Sequence, residues 1–298
     1  MHIVLRLLFL AFCLSGGVAR AAGDVPKITI LYDAFGADRS LRHGWGYSAL
    51  VEYHGRRILF DTGGNLQDFR YNVEKLHVDL THLDFVVLSH RHGDHTGGLN
   101  FVLSINPGVQ IYTPVEQAGF GTPRSDKLMK MIARKVEGTP PDMLYFDGTP
   151  PEVSVDTPPW PEAHFKQVRQ TSEVLPGFFL VTNQSDKEGT REMNEISLAF
   201  RTPKGLVVVV GCSHPGIEKI LASITPIDGK IHALFGGLHL VDASDPDVTA
   251  LITDFRDKWR IEQLASGHCS GPFAFAEAAR LYGDRFFHPG VGAVIEPD

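Results

Sequence analysis

After its first residues the chain has no apolar run approaching the roughly 20 residues of a membrane-spanning helix. It has no excess of positive charge either. Against 35 Asp and Glu stand 28 Lys and Arg, scattered along the sequence, for a formal net charge of -7. A nucleic-acid enzyme normally shows a basic stripe or a recognisable binding module, so no nucleic-acid partner is expected. Direct identity reveals no internal repeat. Cysteine is scarce, with three among 298 residues. The chain is long enough to bury a large core, and a layered α/β unit can hold it as a single domain.

The N-terminus does not read as part of the fold. Met1 to Arg6 carries one Arg besides the amino terminus, Leu7 to Leu14 is apolar, and Ala19-Arg20-Ala21 places small residues where a signal peptidase reads them. Cleavage after Ala21 and a periplasmic or secreted mature chain, residues 22–298, are expected. The run is too short to span as a stable anchor, and no stable membrane anchor is expected after cleavage. Phe12 before Cys13 argues against a lipoprotein, and the separation of Arg6 from Arg20 argues against the twin-arginine route. Cleavage leaves Cys212 and Cys269. An oxidising compartment could bridge them, although both lie inside histidine motifs.

Three histidines and an aspartate, His90, His92, Asp94 and His95, are packed into Ser89 to Gly98, SHRHGDHTGG, directly after the apolar run Phe85 to Leu88. If that run is a buried strand whose extended geometry continues, His90, His92 and Asp94 fall on one side while His95 faces a neighbouring point. One peptide would then serve two adjacent metal positions. Imidazole with carboxylate suits one or two Zn ions, or Fe or Mn, rather than Ca or Mg.

Around this motif, strands are expected at Lys27 to Tyr32, Tyr47 to Tyr53, Arg57 to Phe60 and Val109 to Tyr112, with helices at Asn65 to Leu76 and Thr96 to Ile105. Arg42-His43-Gly44-Trp45-Gly46 reads as a connection. Asp61 ends a buried strand, where an unpartnered carboxylate is costly. From Gly119 to Pro176 prolines crowd, with a short helical pattern at Asp126 to Val136. This reads as an insertion between two halves, whose Phe120, Tyr145, Phe146, Trp160 and Phe165 either line a pocket or, for most of them, anchor the segment to the core.

In the second half, strands at Phe178 to Val181, Ile196 to Arg201 and the wholly apolar Leu206 to Val210 precede a helix at Ile217 to Ile224. A strand at Ile231 to Phe235, an amphipathic helix at Asp247 to Trp259 and a strand at Ile261 to Ala265 follow. Three of these strands end in glycine-flanked histidines, His214, His239 and His268. One such histidine is uninformative; three at equivalent points are not, because sites in α/β folds gather at strand ends.

HxHxDH followed by Thr-Gly-Gly resembles the metal-binding signature of the metallo-β-lactamase superfamily. The resemblance implies an α/β (α+β) fold, the four-layer αββα sandwich, with a mono- or dinuclear metal site at one edge. It implies that Asp61 braces the metal-binding loop without ligating. Further ligands are implied in the middle of the second half, best matched by His214, and near the C-terminus, matched by His268. The expected metal ligands are therefore His90, His92 and His214 for one ion, and Asp94, His95 and His268 for the other. Asp94 is also the candidate general base of a mononuclear enzyme, and His239 the candidate substrate-side group.

Gly211-Cys212 stands where many members carry Gly-Asp, the aspartate bridging the metals. Cys212 as a thiolate, or Glu195 with His214 behind it, could instead complete the site; His214 ranks above Glu195, and both above Cys212. Asp61-Thr62-Gly63, Gly211-Cys212-Ser213-His214-Pro215-Gly216, Gly236-Gly237-Leu238-His239-Leu240 and His268-Cys269-x-Gly271 resemble the branch that includes dihydropterin ribofuranosylaminobenzene phosphate synthases. The leading expectation is an exported hydrolase of a small-molecule ester, lactone or phosphoester using a metal-activated water. A synthase-like transferase and a non-catalytic metal-binding protein are the alternatives. Substrate and oligomeric state are not legible.

Overall fold

The computed structural model describes residues 25–115, 134, 136–145, 160 and 162–297. The expected cleavage site, most of the Asp126 to Val136 pattern, Phe120 and Phe146 lie outside them. Among the described residues no helix is long and apolar enough to cross a membrane.

The first half runs β1 (Lys27–Tyr32), β2 (Ser48–Tyr53), β3 (Arg56–Phe60), α1 (Leu66–Lys75), β4 (Phe85–Val87), α2 (Gly93–Thr96), α3 (Leu99–Ile105), β5 (Gln110–Pro114) and β6 (His164–Val168). The second runs β7 (Ser172–Leu175), β8 (Phe178–Gln184), β9 (Asn194–Thr202), β10 (Gly205–Val210), α4 (Ile217–Ile224), β11 (Ile231–Gly237), α5 (Asp245–Asp257), β12 (Gln263–Gly267), α6 (Pro272–Tyr282) and β13 (Val294–Ile295). Strand order is β13-β1-β2-β3-β4-β5-β6 in one sheet and β12-β11-β10-β9-β8-β7 in the other.

Alternation along the strands builds the layers. Ile28, Val51, Ile58 and Phe60 of the first sheet meet Leu180, Leu198, Val207 and Val209 of the second in the core between the sheets. The opposite faces are covered by helices. Leu50, Leu59 and Val86 pack with Phe69 and Val73 of α1 and Val102 of α3, while Leu206, Val208 and Val210 pack with α4, α5 and α6. The apolar β10 is thus buried on both faces, and the architecture is the expected αββα sandwich.

Four local differences have physical causes. The helix expected at Thr96 to Ile105 is two, Gly93–Thr96 and Leu99–Ile105, broken at Gly97 and Gly98. A Cβ on Gly97 would lie 2.6 Å from the Gly64 carbonyl carbon, and one on Gly98 2.4 Å from the Thr62 carbonyl oxygen. β4 ends at Val87 and His92 caps α2, so extended alternation does not carry as far as Asp94. The end of the proline-rich stretch supplies the edge strands β6 and β7, one to each sheet. The C-terminal α6 and β13, not read from the sequence, complete the second outer layer and the edge of the first sheet.

Parallel pairing of β3 with β4, and of β11 with β10 and β12, sends their C-terminal ends the same way within each sheet. The two sets of ends meet where Ile196 N donates to the Ser89 carbonyl oxygen at 2.8 Å.

Candidate metal centre

Every glycine-flanked histidine follows one of those strand ends. His214 follows β10, His239 follows β11, His268 follows β12, and the histidine motif follows β4. Ser213 (φ 64), His239 (φ 49) and His268 (φ 48) are left-handed, a strained state for residues with a Cβ that persists where surroundings impose it.

Three buried carboxylates each grip one of these loops. Asp61 Oδ1 accepts from Ser89 N, and Oδ2 accepts from Ser89 Oγ and His95 Nδ1, all at 2.7 Å. Ser89 Oγ is in turn 2.8 Å from His90 Nδ1. With those nitrogens engaged, His90 and His95 both present Nε2 to the cavity. Asp61 is therefore the loop brace that the resemblance implied.

Glu195 is the second. Its Oε1 accepts from Cys212 N at 3.0 Å and Ser213 N at 2.7 Å, and its Oε2 accepts from His214 N at 2.8 Å. Both oxygens accept from backbone N–H groups, so Glu195 organises the Cys212 to His214 loop. Burial pushes its carboxyl up to about 7, against the pull of those three N–H groups. Asp33, at the end of β1, is the third: His268 N is 3.2 Å from Oδ1 and 3.3 Å from Oδ2. Sequence reasoning missed it, although the rule that singled out Asp61, a carboxylate closing a buried strand, applies equally to Asp33.

The side chains so positioned form two adjacent groups. His90, His92 and His214 meet edge to face, with ring centroids 4.6 Å apart for His90 and His92, 4.8 Å for His90 and His214, and 4.6 Å for His92 and His214. In the other, His95 Nε2 is 3.1 Å from His268 Nε2, and Asp94 Oδ2 is 3.6 Å and 3.4 Å from those two nitrogens. Asp94 arrives there from the helical turn α2. Between the groups lies Cys212 Sγ, 3.2 Å from His95 Nε2 and 3.1 Å from His268 Nε2. It also lies within 4.8 Å of ligand nitrogens of His90 and His214. The residue ranked last from sequence thus sits at the centre.

This donor set fits a metal. His90 Nε2 and both ring nitrogens of His214 are buried without a hydrogen-bond partner among the described residues. Leaving such atoms unpaired costs ~1–3 kcal/mol each. A cation among them would satisfy the lone pairs. Burial pushes the Cys212 thiol well up, so a metal would have to displace its proton.

The loop at Arg42 to Gly46 borders the site. The Trp45 ring lies 4.8 Å from His268, and a Cβ on Gly46 would fall 2.1 Å from the Asp94 carbonyl oxygen. Tyr145 and Trp160 anchor their segment as expected, and Tyr145 Oη accepts from Gly271 N at 2.9 Å. Phe165 instead is 40% exposed. The His239 ring lies tilted against His214, with centroids 4.3 Å apart, outside both groups. Cys212 and Cys269 are free thiols, not a disulfide.

Charge in this cavity sets a pH dependence for the metal-free protein. Burial, with the neighbouring imidazoles adding, holds His90 and His214 well below the ordinary histidine range, and burial brings His92 down to about 4. Between pH 6.5 and 4 the unfolded chain binds protons there that the folded chain refuses. Stability therefore falls as pH falls through that window. Glu195, raised to about 7, and Asp33, which burial raises well above the usual carboxylate range, work the other way, but His288, which burial lowers to about 4, joins the three, so four groups stand against two. Calorimetry of metal-stripped protein is expected to show a lower thermal midpoint at pH 5 than at pH 6.5; an unchanged or higher midpoint would contradict this.

The sandwich has the metallo-beta-lactamase fold. A family model, the metallo-beta-lactamase superfamily, matches residues 44–179. It is 28% identical over 258 residues to a Methanocaldococcus jannaschii protein named 7,8-dihydropterin-6-methyl-4-(beta-D-ribofuranosyl)-aminobenzene-5'-phosphate synthase, covering 77% of this chain and 81% of that one. A solved metal-dependent hydrolase of the beta-lactamase superfamily superposes with a TM-score of 0.65 at 23% identity, over 91% of this chain and 98% of the other. The metallo-beta-lactamase fold protein YhfI from Bacillus subtilis does so with a TM-score of 0.53 at 14% identity, over 92% and 100%. The two structural likenesses are likenesses of fold.

Proposed function

We propose that this chain is an exported metal-dependent hydrolase of a small ester, lactone or phosphoester. The observation that carries the reading is the convergence of unpartnered buried imidazole nitrogens on one sulfur. His90, His92 and His214 would hold one ion, Asp94, His95 and His268 the other, with Cys212 between them. Zn is the ion best suited to thiolate with imidazole, and Fe and Mn suit the imidazole and carboxylate donors. Bound there, such an ion supplies Lewis acidity that makes water a nucleophile near neutral pH.

The chain's own groups prepare that chemistry. Burial pushes the Asp94 carboxyl up, yet His95 and His268 more than offset this and hold it well below the usual range. It is a charged proton acceptor at neutral pH, able to receive a proton from water or pass one to a leaving group. His239, on the rim, can orient or protonate substrate oxygen, because its bond to Cys269 outweighs the downward effect of burial and raises its affinity for a proton. Trp45 against His268 offers an apolar wall.

A second reading rests on the Methanocaldococcus relative. The chain would then join two substrates as a transferase, with the same residues holding the ion at the leaving group. The export segment supports hydrolysis.

Metal analysis, N-terminal sequencing and a panel of esters, lactones and phosphoesters test the proposal. The chain is expected to begin at Ala22, hold stoichiometric transition metal and turn over one class. His92→Ala should lower that turnover at least ~100-fold, the upper end of the cost of losing a neighbour of a ligand. Absence of metal, or full activity in His92→Ala, would overturn it; condensation without hydrolysis would favour the transferase.

A further inference from the structure

Cys269 and His239 belong to neither histidine group, yet with Cys212 they make a third. The two sulfurs and one ring nitrogen of His239 all lie within 4.8 Å of one another. Both thiols are buried and free. The Cys269 thiol lies 3.7 Å from the Cys212 carbonyl oxygen, to which its S–H can donate.

The surrounding backbone makes room for this arrangement and fixes it. A Cβ on Gly237 would lie 2.7 Å from Cys269 Sγ, so a glycine at the end of β11 is what admits the sulfur. On either side of His239, Leu238 N donates to Ser270 Oγ at 3.0 Å and Val241 N donates to the Cys269 carbonyl oxygen at 3.3 Å. The turn bearing the imidazole is therefore tied to the loop bearing the thiol. His239 is held at φ 49, a conformation costing ~1–3 kcal/mol, and its Nδ1 is buried without a hydrogen-bond partner among the described residues.

Two thiols and an imidazole are a softer donor set than the histidines and Asp94 alongside. We propose that Cys212, Cys269 and His239 form a separate seat for a soft, thiophilic ion of the Cd(II), Zn(II) or Cu(I) class. As each sulfur–metal bond forms, the S–H bond breaks and its proton leaves to solvent, two protons per ion. With both sulfurs ionised, a divalent ion in this seat is neutralised. Cys212 is common to all three groups, so an ion here draws on the sulfur that the histidine groups would share. A soft ion in this seat competes with the ions beside it.

Cd(II) titration of the metal-free full chain carrying Cys13→Ser, followed by sulfur-to-cadmium charge-transfer absorption, tests the seat. Adding either Cys269→Ser or Cys212→Ser is expected to lower the signal by about half, and the two together to abolish it. His239→Ala should keep both sulfurs bound while raising the half-saturating Cd(II) concentration by ~10-fold or more. Alkylation supplies a readout that needs neither site thiol replaced: with Cd(II) bound, Cys269 should be protected from iodoacetamide, as read from the mass of its peptide. An undiminished signal in folded Cys269→Ser, or rapid alkylation of Cys269 in the loaded protein, would overturn the proposal.

Discussion

Asp61→Ala is expected to lower both thermal stability and metal affinity sharply. The substitution strips three donors, Ser89 N, Ser89 Oγ and His95 Nδ1, of an acceptor each holds at 2.7 Å in a fully buried site. Breaking a buried charged pair by removing one partner costs ~3–5 kcal/mol. For a domain this size each kcal/mol moves the thermal midpoint by roughly 2–4 °C, so a fall of roughly 6–20 °C should appear in calorimetry. The second consequence is chemical. Asp61 is the leading reason, against burial, that His95 is raised to about 9, and it fixes which nitrogen faces the cavity. Without it the ring is free to turn, and a chelator competition should show metal bound ~10–100-fold more weakly. A midpoint within ~2 °C of wild type would show that this network does not carry the loop.

Glu195→Ala should be of similar size through a different mechanism. It orphans three consecutive buried N–H groups, those of Cys212, Ser213 and His214, at ~1–3 kcal/mol each. The loop they belong to holds Ser213 left-handed and carries both Cys212 and His214, so its relaxation would scatter the sulfur and an imidazole together. Glu195→Gln separates bracing from ligation. The amide keeps one oxygen for Cys212 N and Ser213 N but points a donor at His214 N. Its midpoint should therefore fall between wild type and Glu195→Ala, with metal retained. Complete loss of metal in a Glu195→Gln protein of wild-type stability would instead mark Glu195 as a ligand. Metal content and calorimetry on both variants decide between these outcomes.

Legibility in the sequence followed the physics of each feature. Elements with a strong period were readable: the alternation of Lys27 to Tyr32, the apolar Leu206 to Val210 and the helix Ile217 to Ile224, whose bounds match the structure. The close spacing of His90, His92, Asp94 and His95 was legible because it is local. What was not legible depends on long-range closure. Edge strands β6 and β7 have little burial on one side and so no clean alternation; β6 is exposed along most of its length. α6 has a weakly patterned sequence, and its role emerges only from packing on β12 and α5. In the site, Cys212 ranked low because a lone cysteine in sequence carries no geometry. Its position is set by three backbone bonds to Glu195, a residue 17 positions away from it. Likewise Asp33 meets His268 across 235 residues, a pairing no local pattern announces.

Anomalous diffraction from metal-loaded crystals, recorded on both sides of the absorption edge, tests the centre most directly. Two peaks are expected, one bounded by His90, His92 and His214 and the other by Asp94, His95 and His268, with Cys212 Sγ between them at about 2.3 Å from zinc. Peaks absent from this cavity, or a metal coordinated by Glu195 with Cys212 turned away, would contradict the account.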